Sequence, residues 1–252
     1  THTLWSDGDA APEIVVDWYV QHGYDFLCLS DHNVFADREV WFPVKEDDRL
    51  TMERVKAIQE QFGEEWVELK ESGSRTRMRL KTYSELKAHF EKPGEFLLIP
   101  AEEVTSPEVH INALNIRKVI PAAQLDEGET QRDLLRKNFE AIEAQEKEFG
   151  VPILAHINHP NWSDGIPVQD VIAVGGERFF EVYNGHSYVR NWGDEGRHMV
   201  PTDRYWDIIL AMRMKDGADY PMYGVATDDS HEYFEWGIGH VNSGRGWVQV
   251  LA

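Results

Sequence analysis

The sequence predicts an α/β fold, one large domain whose parallel sheet closes into a barrel. Three observations predict it. Segments of helical spacing alternate with short apolar runs along most of the chain, the pattern of repeated βα units. The 252 residues are 42% hydrophobic, enough for one large core, and barrels of this size form single domains. No internal repeat or low-complexity tract breaks the pattern.

Residues 12–21 have helical spacing, and Gly23 follows as a left-handed terminator. The apolar run 24–30 suits a buried parallel strand. Residues 51–71 and 82–90 are expected helices, separated by a basic, polar stretch at 72–79. Strands are expected at 95–100 and 110–116, then a long charged helix at 130–149. Strands follow at 151–155, 178–183 and 222–227, with a helix at 204–214 before the last. Residues 246–251 read as a final strand. Residues 34–80 interrupt the rhythm and are expected to form an inserted flap within a domain spanning 1–252.

Composition narrows the partners. With 25 basic and 45 acidic residues the net charge is −20, so the chain repels a long nucleic acid, although a local basic patch can still hold one phosphate. The single cysteine, Cys28, sits in an apolar run and reads as a core residue. It allows neither an internal disulfide nor a cysteine zinc site, which favours the cytoplasm. No run approaches a membrane span. The chain starts at Thr1 without Met and stops on an apparent strand. It is therefore expected to continue beyond both ends, and a removed signal peptide is compatible with it.

The informative pattern is where histidines and acids fall. His2 and Asp7 flank Thr3-Leu4-Trp5-Ser6. Asp31-His32-Asn33 ends the first strand, and Glu102-Glu103 follows the strand at 95–100. His110 opens the next strand. His156 and His159-Pro160-Asn161 follow residues 151–155, and Asp228-Asp229-Ser230-His231 follows 222–227. Each piece alone suits a turn or a helix cap. Together they fall at one structural place, the strand ends that form the active-site rim of α/β barrels. Imidazole mixed with carboxylate binds Zn, Mn or Fe(II). Clustered divalent ions lower the pKa of a shared water and neutralise a bound phosphate.

The segments 2–8, 30–33 and 99–103, with His110, His159-Pro160 and Asp229-Ser230-His231, resemble the motifs of the polymerase and histidinol phosphatase (PHP) superfamily, in that family's order and over nearly the whole chain. The resemblance implies a distorted (β/α)7 TIM-like barrel with two or three divalent metal ions (Mn, Zn or Fe). It implies hydrolysis of a small-molecule phosphate ester, such as a nucleotide or sugar phosphate, by a hydroxide bridging two metals. By position, the first metal would take His2, Glu103 and Asp229, with a further histidine expected immediately before Thr1. The second would take Asp7, His32 and Glu103 as a bridge, and the third His110, His159 and His231. Glu102 competes with Glu103, and motif spacing favours Glu103. Ala101 stands where the family often has glycine.

Candidate substrate-facing groups are Arg190 and Arg245 as cations and His186 and His240 as hydrogen-bond donors or leaving-group acids, all in or beside glycine-containing loops. His156 is a candidate for orienting a ligand. His22, His89 and His198 read as surface residues. Trp162, Trp192 and Trp236 could stack on a ring. Two other readings remain open: a metallohydrolase acting on a C–N or other non-phosphate bond, and a non-catalytic metal-binding module.

Overall fold

The computed structural model describes residues 1–174, 178–217 and 221–251. Helix α1 (Pro12–Gln21) starts on a proline, whose missing N–H suits a first turn, and Gly23 follows it at φ 74°. Strand β1 (Phe26–Leu29) comes next.

The insert contains β2 (Trp41–Val44), α2 (Met52–Phe62), β3 (Leu69–Ser72) and β4 (Arg75–Arg79). The helix expected over 51–71 thus stops at residue 62. Gly63, at φ 99°, leaves the helical region, and a single 3-10 turn (Glu64–Trp66) leads into β3. The polar stretch 72–79 supplies the partner strand. The three strands form an antiparallel sheet ordered β2-β4-β3. Its inner face and α2 bury Met78, Leu80, Val55 and Ile58 against Leu4 and Ala11. The insert shares a core with the first residues of the chain.

Helix α3 (Tyr83–Phe90) begins at a Thr82–Glu85 capping box. Then come β5 (Leu97–Ser106), β6 (Val109–Leu114), α4 (Gln131–Phe149), β7 (Leu154–Ile157), α5 (Val168–Val174), β8 (Phe179–Asn184), α6 (Thr202–Asp216) and β9 (Tyr223–Thr227). Helix α5 has no counterpart in the sequence reading. Residues 246–251 form no strand; Gly246 instead lies against the Thr227 backbone, where a Cβ would collide.

The larger sheet runs β1-β5-β6-β7-β8-β9 and curls into a half-barrel. It is mixed, not wholly parallel as expected: β6 is antiparallel to both β5 and β7. The cause is the short turn between Ser106 and Val109, which returns the chain directly without a crossover helix. Because β6 runs backwards, its first residues stand at the same rim as the last residues of β5 and β7. At that rim the amide of Ser30 donates to the Thr1 carbonyl (3.3 Å) and the amide of His2 donates to the Ser230 carbonyl (2.9 Å). The first two residues therefore bridge the ends of the sheet's two edge strands. No helix among the described residues is long and apolar enough to cross a membrane.

Candidate metal centre

Glu103 is the hub. On β5, side chains alternate between faces, so Glu102 and Glu103 part company. Glu102 points into the protein, accepts a hydrogen bond from the Ile120 amide and leaves its second oxygen unpartnered. Burial pushes its pKa up to about 7. Glu103, 1% exposed, turns toward histidines from four separate segments. Its oxygens lie 2.8 Å from His110 Nδ1, 3.0 Å from His2 Nε2, 3.3 Å from His159 Nε2 and 3.6 Å from His32 Nδ1.

His2 is fully buried and also meets Asp229 Oδ1 at 3.0 Å. Its loop is held by Asp31, whose carboxylate accepts from the Thr3 amide (2.7 Å) and from Ser6 Oγ (2.6 Å). Gly8 closes this loop so tightly that a Cβ there would collide with the His2 carbonyl. Asp7, on the same loop, approaches His231 (3.3 Å), His2 (3.6 Å) and His32 (3.7 Å). His231 stacks on the His2 ring at 4.1 Å. His32 contacts Thr105 Oγ1 through Nδ1 at 2.6 Å.

Three overlapping sets have donor atoms close enough for one ion each: His2, Asp7, His32 and His231; His32, Glu103 and His110; His2, Glu103 and Asp229. The last matches the first-metal set expected from the sequence. Expected second-metal ligands Asp7, His32 and Glu103 are split between the other two sets, with His32 in both. His110, His159 and His231 do not gather as a trio. His110 and His159 adjoin each other, with ring centroids 4.9 Å apart, whereas His231 sits with His2 and Asp7.

The donor set fits divalent ions, because its imidazoles and carboxylates together favour positive charge at their centre. Burial pushes the His2 imidazole down, yet hydrogen bonds with Asp229 and Glu103 lift its pKa to about 9. Burial likewise opposes protonation of His159, and Glu103 overrides it, again to about 9. Burial disfavours the charged forms of Glu103 and Asp229, but their imidazole partners hold both well below the usual carboxylate range. The cluster thus favours bound protons, and with them positive charge, at its centre. Imidazole nitrogens and carboxylates with this geometry exchange such protons for a metal.

Behind the candidate ligands stand residues that the sequence does not single out. Glu181 accepts from the His159 amide (2.5 Å) and from Asn184 Nδ2 (2.9 Å), and Asn184 Nδ2 also reaches Asp229 (3.1 Å). The available signal was a glutamate between Phe180 and Val182 in an otherwise apolar strand. Asp228 is not directed at the cluster; it accepts from Tyr19 and from the amides of Arg245 and Gly246.

His186 borders the cluster, 5.3 Å from the His231 ring and 4.9 Å from Trp162. Burial lowers its pKa to about 4. His156 is buried with its Nδ1 unpartnered. The other candidates are tied into their own loops. Arg190 donates to Ser163 O (3.0 Å) and pairs with Asp194, Arg245 donates to Gly237 O (2.8 Å), and His240 pairs with Glu232 (2.9 Å).

No protein-family profile matches this sequence, nor does any curated protein. Among solved structures the chain is similar to a two-domain protein from Bacteroides vulgatus containing a predicted PHP-like metal-dependent phosphoesterase. The two share 17% identity at a TM-score of 0.46, over 92% of this chain and 50% of that chain. This chain therefore spans half the length of that protein.

Proposed function

We propose that this chain is a metal-dependent phosphoesterase acting on a phosphorylated small molecule. The observation that carries the reading is the buried Glu103 carboxylate with four imidazoles around it, flanked by Asp7, Asp229 and His231. His2, Glu103 and Asp229 would hold one ion. Asp7, His32 and His231 would hold another beside His2, and Glu103 with His32 and His110 completes the cluster. Divalent ions there supply Lewis acidity toward a phosphoryl oxygen and lower the pKa of water.

The chain's own groups do the rest. Glu181 and Asn184 fix the His159 backbone and the Asp229 carboxylate. His186 accepts the Tyr188 amide at Nδ1 (3.2 Å), so its neutral ring carries the proton on Nε2. With its pKa at about 4, it serves near neutrality as a hydrogen-bond donor to a phosphate oxygen, not as a leaving-group acid. Trp162 beside it, with the exposed Tyr188 and Trp192 in the following loop, offers flat surface to a substrate ring.

Elemental analysis of the purified protein, followed by a panel of phosphomonoesters, phosphodiesters and amides with added Mn²⁺ or Zn²⁺, tests the proposal. Phosphate-ester turnover that chelator abolishes is expected. Turnover of amides alone, or full metal content with no ester cleaved, overturns it.

A further inference from the structure

The outer face of the insert sheet carries cations that no acidic side chain among the described residues pairs with. On β4, Arg75, Arg77 and Arg79 alternate onto one face. Arg79 is paired with Glu68 and Glu85. Arg75 and Arg77 are exposed, and among the described residues neither makes an ion pair or side-chain hydrogen bond. Lys70 on β3 stands directly opposite Arg77, and Ser72 opposite Arg75. Like charges facing each other across strands are destabilising. In a chain with 45 acidic residues and a net charge of −20, three unpaired cations on one sheet face are conspicuous. On β2 the Trp41 indole stands beside them, held by its Nε1 on Glu39 (2.6 Å), with the Lys70 ammonium 5.5 Å from its ring centre. Trp41, Lys70, Ser72, Arg75 and Arg77 line one cleft of about 270 Å³.

We infer that this cleft is a second binding site, separate from the metal cluster, for a small organic diphosphate bearing a flat ring. Arg75 and Arg77 are two residues apart on one strand, about 7 Å, with Lys70 across from them. That spread suits two adjacent phosphates better than one. Trp41 supplies the stacking platform, and Ser72 a hydroxyl donor. The site depends on neither the metals nor the activity proposed for them.

Calorimetric titration of the full chain with ADP at low salt tests it. Lys70→Gln/Arg75→Gln/Arg77→Gln alters only exposed side chains. It is expected to weaken ADP binding at the cleft at least tenfold and to remove its salt dependence. Trp41→Ala is expected to weaken ADP binding roughly tenfold while leaving pyrophosphate binding within about twofold. Any ADP held by the metal cluster persists in the triple variant, so failure of the metal reading leaves this test intact. ADP affinity unchanged in the triple variant overturns the site. Equal binding of pyrophosphate and ADP, indifferent to Trp41→Ala, overturns the ring assignment.

Discussion

At the rim, Glu103 is 1% exposed and enclosed by His2, His32, His110 and His159. On the outer face of the insert sheet, Arg75 and Arg77 stand in solvent with Lys70 opposite. The first region cannot leave a charge uncompensated, because burial makes an unpaired ion expensive. Its side chains are therefore fixed by several partners each. The second region can leave three cations unpaired, because water screens them. The difference separates two kinds of readiness. The rim is organised in advance for a cation, and the insert face is left open for an anion.

The largest effect expected is from Glu103→Ala. It leaves four histidines without their common partner, so metal content and turnover should fall to background. The metal-free protein should lose about 3–5 kcal/mol of stability, read by denaturant unfolding in chelator. Glu102→Gln, one residue earlier, should leave metal content unchanged; a matching loss would break the assignment of opposite faces. His32→Ala, which touches Asp7 and Glu103 and belongs to two of the three donor sets, should likewise remove metal and abolish turnover. An unchanged rate with full metal content would sink its role.

A smaller effect is expected behind the ligands. Glu181→Gln keeps the shape but weakens the grip on the His159 amide and Asn184. Metal affinity should drop by roughly 10–100-fold, and saturating metal should restore most of the maximal rate. A rate lost beyond rescue would show that Glu181 does more than orient.

The pH dependence of metal binding sharpens the same point. Asp229 and Glu103 raise the His2 pKa to about 9, and a metal held by His2 must displace that proton. Affinity should therefore rise between pH 7 and 9, by up to about tenfold per pH unit for each proton displaced. Titration in buffers of different ionisation enthalpy counts the protons released. A flat profile would mean that the His2 imidazole is not a ligand.

The smallest effect belongs to the insert. Arg77→Thr removes the like-charge pair with Lys70 and places a strand-favouring residue there. It should stabilise the protein by about 0.2–1 kcal/mol in urea at low salt, with metal content unaltered.

Much of the site was legible because its residues sit in short segments with unusual chemistry, such as Asp31-His32-Asn33 and Asp229-Ser230-His231. Position along the chain said which residues meet at the rim. It did not say which of them would adjoin, since His231 packs on His2 and His110 on His159 only once the sheet has curled. Strand direction was also illegible. His110 opens a strand, and in a parallel sheet that would place it at the wrong end; the two-residue turn before β6 puts it at the right one. In the insert, helical composition concealed a break that depends on the backbone angle of Gly63. Glu181 and Asn184 were invisible because a lone polar residue in an apolar strand gives no sign of what it supports.

The bridge made by Thr1 and His2 bears on how the protein is born. His2 and Asp229 lie 227 positions apart, and the amide of His2 is held by Ser230. Contacts of such sequence separation form late. During synthesis residues 1–8 leave the ribosome long before residues 229–231, yet His2 has no seat until β9 and the residues after it have followed. His2, Glu103 and Asp229 thus come together only after β9 has been made, in the step that brings the sheet's two edges together.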